Sequence, residues 1–329
     1  MSVEKRTQGS TNQIQEDHQK EMSNMRAEPI AILCSDIHLS EKAPIARSAE
    51  KDWFEAQSRP LKQIQALSNK YDVPVICAGD VFDKWNPSPA LINFAMDMIP
   101  NKKGFYSVSG QHDQPFHRYD DIQHSAYWTL VKAERIINIS GVYAMNKRFV
   151  LHGFHWNELV RNLPYSRPHA LHLAVIHAYI WKKGFSFPNA PEDASVSDWN
   201  KRLLGYDAAV FGDNHKGFLV KQSRPCNILN SGTLMRRKID EINYRPCVGI
   251  LNSDKSIIRF PLDISEDKFI QADTDLIKVD DQDFTDFIED LRTLADKGMD
   301  FVEILKQQVN DGQISEGAKN IIIQALEAA

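Results

Sequence analysis

The chain has 329 residues, a formal net charge of −5 at pH 7, 42% hydrophobic residues and 25% charged residues. This composition is typical of an ordinary globular protein and excludes a wholly disordered chain, a collagen and a coiled coil. The acidic balance argues against a bulk electrostatic attraction to nucleic acid, but it is compatible with a local basic patch. No apolar run approaches the roughly 18 residues of a membrane span. We find no secretory signal and no CxxC spacing, so we expect a cytoplasmic protein that does not enter the membrane.

The chain divides into three predicted parts. Residues 1–28 contain no aromatic residue and few aliphatic ones, and such a segment is expected to be a flexible tail because it cannot bury enough surface to offset its ordering entropy. Residues 29–262 carry the apolar runs and are expected to form the main folded domain. Residues 263–329 are expected to form an acidic linker and a small helical appendage, with amphipathic helices near 283–295, 300–310 and 315–328.

Within residues 29–262, short apolar runs alternate with helical segments. One helical segment spans 53–67 and is expected to break at Pro60; another spans 90–99, and Ser88-Pro89 is its start signal. This alternation predicts βαβ units and an α/β fold with parallel strands, while the shorter strands of the second half favour more antiparallel pairing there. The predicted strands are 30–34, 73–78, 105–108, 149–151, 171–176, 208–211, 227–229, 247–251 and 257–260.

Five of these strands end in acidic, imidazole or carboxamide side chains. Ligands collect at the carboxyl ends of strands in open α/β sheets, so we expect these side chains to lie together. An Asp-x-His pair on an extended segment would direct both side chains towards one ion, and mixed carboxylate and imidazole ligands suit Mn, Fe, Zn or Mg. Each element alone has an ordinary explanation as a turn or a core histidine, but the ordered set favours a dinuclear metal site. The elements are Asp36-Ile37-His38, Gly79–Asp83, Gly110–Asp113, His177 and Gly212–His215.

This ordered set resembles the motifs of the calcineurin-like metallophosphoesterase superfamily over residues 29–260. The resemblance implies an α/β sandwich of two mixed sheets flanked by helices, and two divalent ions, with Mn favoured over Mg, Fe or Zn. By position, it implies that one ion is held by Asp36, His38, Asp80 and His215, and the other by Asp80, Gln111, His177 and Asp213. His112 corresponds to the histidine that stabilises the phosphoryl transition state or protonates the leaving group, and Asp83 to the acid that orients it.

Two residues depart from the family pattern, and both belong to the second ion. Gln111 replaces an asparagine and adds one methylene group; Asp213 replaces a histidine and adds negative charge. We therefore expect a second site that is weaker, or that prefers harder ions such as Mn or Mg.

The G-D-V-F-D motif and the segment 227–238 resemble SbcD-type DNA-repair nucleases and related phage recombination nucleases. This resemblance implies a phosphodiester hydrolase that activates hydroxide at the dinuclear centre, most simply a DNA exonuclease or endonuclease of recombination or repair. Arg236, Arg237 and Lys238 are candidate phosphate contacts, and a solvated basic loop is the equal alternative. Lys102-Lys103 and Lys182-Lys183 are candidate extensions of this patch. The aromatic residues Trp85 and 116–119 are candidate cleft residues, although core or rim packing is the more common role of each.

Two other functions stay open at this point. The first is a phosphodiesterase or phosphatase for small substrates. The second is a non-catalytic scaffold whose second metal site has degenerated through the changes at Gln111 and Asp213. For partners, we expect DNA as the substrate; a coiled-coil ATPase is a further candidate, docked through the helices after residue 280, which have packing on their own domain as the alternative role. A homodimer is a candidate assembly.

Overall fold

The computed structural model of the protein describes residues 27–163, 170–187, 190–221 and 225–270. The predicted tail lies almost wholly outside the described residues, and the predicted helices after residue 280 lie entirely outside them, so both stay predictions. Within the described ranges, none of the helices has the length and apolar character needed to cross a bilayer.

Twelve strands and four α-helices make up the described fold, and each of the nine predicted strands is present. The helices are α1 (Trp53–Tyr71), α2 (Pro89–Met98), α3 (Ala126–Lys132) and α4 (Val196–Arg202). The strands are β1 (Pro29–Cys34), β2 (Val75–Cys77), β3 (Phe105–Ser107), β4 (Ile137–Asn138), β5 (Gly141–Asn146), β6 (Phe149–Phe154), β7 (Leu171–His177), β8 (Ala208–Gly212), β9 (Phe218–Val220), β10 (Asn227–Asn230), β11 (Cys247–Asn252) and β12 (Ile257–Pro261).

The strands form two six-stranded mixed sheets, in the orders β12-β11-β1-β2-β3-β4 and β5-β6-β7-β8-β10-β9. The strands from β1 to β4, and from β6 through β8 to β10, pair in parallel with one another, whereas β5, β9, β11 and β12 pair antiparallel. The predicted α/β fold of two mixed sheets flanked by helices is therefore confirmed. The antiparallel pairing expected of the second half is limited to these four strands, because the centre of the second sheet is parallel.

Alternate residues of the parallel strands face different layers, as the two-residue period of a strand requires. In β1, Ala31 and Leu33 face the second sheet, while Ile32 and Cys34 face the layer that contains α1, α2 and α3. Both faces of β1 are thus apolar, which explains its continuous hydrophobic run. The outer face of the second sheet packs on α4 through Trp199.

Helix α1 continues through Pro60, so the predicted break is wrong. Asp52 caps its start by accepting a hydrogen bond from the Glu55 amide at 3.0 Å. Proline lacks the amide that would donate one hydrogen bond within the helix, but Leu61 and Ile64, both fully buried, anchor the following turns against the core. Packing of an apolar face contributes more to helix stability than one backbone hydrogen bond, and the helix therefore survives the proline.

A buried ion-pair cluster joins the residues before α1 to the segment after β12. Arg47 and Arg59 both bind the Glu50 carboxylate, at 2.6 and 2.9 Å. Arg47 also binds Asp267 at 2.9 Å, and Arg236 binds the same carboxylate at 2.9 Å. Since Arg47 is only 2% exposed, these charges depend on one another for compensation.

We expect Glu50→Gln to lower the free energy of unfolding by about 3–5 kcal/mol, because it removes the buried carboxylate that Arg47 and Arg59 share and leaves their positive charges only partly compensated. Burial alone would raise the pKa of Glu50, but the hydrogen bonds from Arg59 and Arg47 lower it to about 2. A lowered pKa stabilises the fold above the ordinary value near 4.5, and this contribution is lost as the pH falls from there towards 2. Urea unfolding at pH 7 and pH 3 measures both effects. The exposed control Glu192→Gln should unfold like the wild type; an equal result for Glu50→Gln would contradict the prediction.

Candidate metal centre

The backbone of the candidate site has an unusual conformation at four of the seven predicted ligands. Asp36, His38, Asp80 and Asp213 all have positive φ, between 50° and 83°. Such left-handed conformations are uncommon for residues other than glycine, cost about 1–3 kcal/mol each and cluster at functional sites. The Asp-x-His segment is therefore not extended, as predicted, but turns sharply after β1 and still brings both side chains to one place.

Loops from both sheets meet at this edge of the fold. The Asp213 amide, after β8, donates to the Asp36 carboxylate, after β1, at 2.9 Å. His177 Nδ1, at the end of β7, lies 2.6 Å from the Ala78 carbonyl. Gly79, at φ 89°, makes this approach possible, because a Cβ atom there would lie 2.3 Å from His177 Nδ1. Glycine is required here for two reasons: other residues rarely adopt this positive φ, and any side chain would collide with His177.

The side chains predicted for the first ion converge on one another. His38 Nε2 lies 3.0 Å from His215 Nε2, 3.6 Å from Asp80 Oδ2 and 3.9 Å from Asp36 Oδ1. Asp36, His38 and His215 each offer a ligand atom within 4.8 Å of the others, and so do Asp36, Asp80 and His177. Four predicted ligands from three loops thus lie around one small volume.

The side chains predicted for the second ion form an adjoining group. Asp80 Oδ2 lies 3.5 Å from His177 Nε2, and His177 Nε2 lies 2.6 Å from Gln111 Oε1. The Gln111 amide nitrogen in turn donates to Asp213 Oδ1 at 2.9 Å. Asp80 contacts members of both groups, which is the position expected of a ligand shared by two ions.

The chemistry of these donors fits divalent cations. Asp80 Oδ2 is fully buried and has no hydrogen-bond partner among the described residues, a state that is costly for an anion unless a cation compensates it. His177 Nδ1 is held by the Ala78 carbonyl, and its Nε2 is directed towards the Gln111 side chain. A second-sphere hydrogen bond of this kind orients metal-binding imidazoles.

The electrostatic potential of the cluster also favours positive charge. Burial by itself would lower the pKa of His177, but the neighbouring Asp80 carboxylate raises it to about 10. The imidazolium forms of His177 and His38 conversely lower the pKa of Asp80, against the effect of its burial. A site that holds protons so firmly on imidazole offers the same stabilisation to a metal ion.

His112 and Asp83, the predicted catalytic pair, are in contact, but not through the Asp83 carboxylate. His112 Nδ1 lies 2.9 Å from the Asp83 main-chain carbonyl. The carboxylate instead binds Arg237 at 2.5 Å and lies 3.5 Å from His38 Nδ1. Asp83 therefore orients His112 through its main-chain carbonyl and not, as predicted, through its carboxylate. The carboxylate faces His38, a predicted metal ligand. His112 also forms a possible ligand group with His38 and Asp80.

Asp113 has a part in the site that the sequence interpretation missed. Its buried carboxylate accepts hydrogen bonds from the amides of Val81, Phe82 and Gly110, at 3.0–3.1 Å. Burial raises the pKa of Asp113 to about 7, with repulsion from Asp80 as the next cause. The residue connects the loop after β2 to the loop after β3. Its place directly after His112 in the Gly110–Asp113 motif was a usable signal.

The three basic residues proposed for substrate lie in different environments. Arg236 is 6% exposed, and its guanidinium group is occupied by Asp267 and the Ile242 carbonyl. The expectation of a phosphate contact is therefore wrong for Arg236, because burial and ion pairing occupy it. Arg237 binds Asp83, whereas Lys238 lines a cavity beside Asp213 and His215.

Two further lysine pairs were candidate extensions of the basic patch. Lys102 and Lys103 precede β3, at the amino end of a parallel strand, and Lys103 pairs with Asp72. The candidate metal centre lies at the carboxyl ends of the strands, so this pair cannot extend a patch there. Lys182 instead packs over the Phe185 ring, with its Nζ atom 4.6 Å from the ring centre.

The chain is similar to several known proteins. A family model of calcineurin-like phosphoesterases matches residues 31–217. No curated protein sequence matches the chain. The calcineurin-like phosphoesterase YfkN from Bacillus subtilis is 12% identical, with 73% of this chain and 92% of that chain covered and a TM-score of 0.45.

Two other solved structures show similarities of comparable size. A dimetal phosphatase from Danio rerio is 10% identical, with 72% of this chain and 100% of that chain covered and a TM-score of 0.41. A putative 5'-nucleotidase from Staphylococcus aureus is 13% identical, with 79% of this chain and 58% of that chain covered and a TM-score of 0.41.

Proposed function

The chain belongs to the calcineurin-like phosphoesterase family, and we propose that it is a metal-dependent phosphodiesterase that cleaves DNA in recombination or repair. The observation that carries the proposal of catalysis is the convergence of Asp36, His38, Asp80, His177 and His215 from loops of both sheets. The unpartnered, buried Asp80 carboxylate supports occupation by cations. A structural scaffold has no need to keep several strained backbone positions around such a group.

In this proposal each side chain has a defined part. Asp36, His38, Asp80 and His215 would hold one ion, and Asp80, Gln111, His177 and Asp213 the other. Such ions, when bound, lower the pKa of water and neutralise charge on the phosphate. His112, fixed by the Asp83 carbonyl at 2.9 Å, would deliver a proton to the departing oxygen. Asp83 and Ala78 would keep His38 and His177 in the orientation that binding requires.

The exposed Phe116 and the half-buried Trp85, which are close in sequence to His112 and Asp83, support DNA over a small substrate. Phe116 is 74% exposed and has a left-handed backbone, with φ at 52°. Its ring lies 5.5 Å from that of Trp85, between ring centres. An exposed phenylalanine on a strained backbone contributes little to the core, whereas bases stack on such rings with a gain of about 1–3 kcal/mol each.

We expect Asp213 and Gln111 to change the affinity and the metal preference of the second site. We expect Asp213→His to increase the affinity of the second site for Zn relative to Mn, since imidazole is a softer ligand than carboxylate. Gln111→Asn should act in the same direction on affinity by restoring the shorter amide. Calorimetric titration of each metal into the metal-free proteins tests this. Unchanged affinity and unchanged metal preference of the second ion would contradict it.

Three substrates distinguish the proposed nuclease from the alternatives. The purified chain is incubated with Mn and bis-p-nitrophenyl phosphate, single-stranded DNA or double-stranded DNA. DNA cleavage supports the proposal, diester turnover without DNA cleavage supports a small-substrate phosphodiesterase, and inactivity on all three supports the scaffold. A coiled-coil ATPase partner and a homodimer stay predictions, because the helices proposed for docking lie outside the described residues.

A further inference from the structure

A cavity beside the candidate metal centre adjoins a second cavity farther from it. The first, here called the proximal cavity, has a volume of about 370 Å³ and is lined by Tyr179, Asp213, His215 and Lys238, among others. The second, the distal cavity, has a volume of about 380 Å³ and is lined by Phe185, Arg245 and Arg259, among others. Lys216 and Tyr244 line both cavities. A ligand can therefore extend from the predicted metal ligands into the distal cavity without leaving this surface.

All the charged side chains among the described residues that line the distal cavity are positive. Lys216, Arg245 and Arg259 contribute cationic groups, and no acidic residue is among the described residues that line it. The proximal cavity differs, because Asp240 and Glu241 also line it. The Glu241 carboxylate is already engaged there, since it accepts hydrogen bonds from the Arg237 and Lys238 amides at 2.6 and 3.0 Å.

Arg259 is half-buried and lines the distal cavity. Its Nε atom is buried and has no hydrogen-bond partner among the described residues. A Cβ atom on Gly217 would lie 3.2 Å from Arg259 Nη2 and 2.4 Å from the Ser231 carbonyl, so the glycine leaves room for the guanidinium group. Guanidinium donors form strong charge-assisted hydrogen bonds with oxyanions, so the exposed part of this group would bind a phosphate in the distal cavity.

We propose that the distal cavity binds a phosphate of the substrate strand other than the phosphate that is cleaved. The inference rests on the proposed DNA-cleaving function and narrows it to a polynucleotide substrate. Guanidinium groups suit phosphate because their planar donors match its oxygens. A mononucleotide bound at the metal centre has no second phosphodiester to place there, whereas a DNA strand carries one at every nucleotide. The distal cavity thus selects for chain length rather than for base sequence.

The test compares Arg245→Gln and Arg259→Gln with Lys132→Gln. Lys132 is exposed on α3 and does not line either cavity, so it controls for the change in net charge. Binding of a fluorescent single-stranded 12-nucleotide DNA is measured in EDTA at several salt concentrations. Loss of one phosphate contact should reduce the slope of log K against log salt by about 0.7 and weaken binding about fivefold near 0.1 M salt. With Mn, kcat/KM should fall for the oligonucleotide and stay unchanged for bis-p-nitrophenyl phosphate.

The outcomes separate this inference from the proposed function. If the wild type cleaves DNA but both arginine variants keep the slope of the Lys132 control, the distal phosphate site is refuted and the nuclease stands. If the wild type does not cleave DNA but the slopes fall, the nuclease is refuted, and the distal cavity is supported only as a binding site for a DNA phosphate. Displacement of the oligonucleotide from the wild type by millimolar inorganic phosphate, together with unchanged slopes, would indicate a site for free anions and refute the inference. Arg245 is exposed, so its variant keeps the test valid if Arg259→Gln fails to fold.

Discussion

Replacement of Asp80 by asparagine should remove catalysis almost completely, with a fall in kcat of at least about 10³-fold, or about 4 kcal/mol of transition-state stabilisation. Asp80 Oδ2 lies 3.6 Å from His38 Nε2 and 3.5 Å from His177 Nε2, in the two predicted ligand groups. Both ions would lose an anionic ligand in this variant. Asparagine is a demanding choice, because it preserves the size of the side chain and tolerates the left-handed backbone at φ 53°.

The fold of this variant should be intact, which makes the result interpretable. Asp80 Oδ1 accepts a hydrogen bond from the His112 amide at 3.1 Å, and an asparagine carbonyl can accept the same bond. We expect metal content, measured by inductively coupled plasma mass spectrometry, to fall below one ion per chain. Added Mn should raise the melting temperature of the wild type but not of the variant, because only a bound ligand shifts stability. The exposed control Asp97→Asn should behave as the wild type; an active, metal-loaded Asp80→Asn protein would exclude Asp80 as a shared ligand.

The fold was predictable from sequence where a strand is apolar on both faces. The run 30–34 is such a case, since Ala31 and Leu33 face one layer and Ile32 and Cys34 another. Strands β4, β5 and β9 were missed because they are short or lie at edges, where solvent removes the pattern; Val142 in β5 is 69% exposed. Pro60 was misinterpreted because local propensity cannot register the tertiary packing that holds α1 together.

The residues of the candidate site were predictable because a metal centre constrains residue type at the ends of strands. Their geometry was not, since the left-handed turns at Asp36 and Asp80 have no signature beyond the preference of aspartate for such conformations. The different environments of Arg236 and Lys238 were also not predictable from the sequence. A run of three basic residues does not reveal that the first is paired with Asp267 while the third lines a cavity.

His112 is the residue for which a metal ligand and a proton donor must be distinguished. It forms a possible ligand group with His38 and Asp80, and its ring centre lies 5.0 Å from that of His38. Its Nδ1 atom is held by the Asp83 carbonyl at 2.9 Å, which leaves Nε2 for the second role. If His112 is a metal ligand, its replacement should also remove a metal ion. If it is a proton donor, its replacement should leave the metal ions bound.

We expect His112→Gln to reduce kcat for DNA by about 10²–10⁴-fold, because the sugar oxygen leaves poorly without a proton. Turnover of bis-p-nitrophenyl phosphate should fall by less than about tenfold, since its leaving group departs as a stabilised anion and needs little acid catalysis. Metal content should equal that of the wild type, and the exposed control His124→Gln should match the wild type in both assays. An equal loss on the two substrates with full metal content would assign His112 to stabilisation of the phosphoryl group, while a loss of metal would make it a ligand. A larger loss of kcat on DNA than on bis-p-nitrophenyl phosphate is therefore the evidence for proton donation by His112, because neither of the other two roles produces that difference.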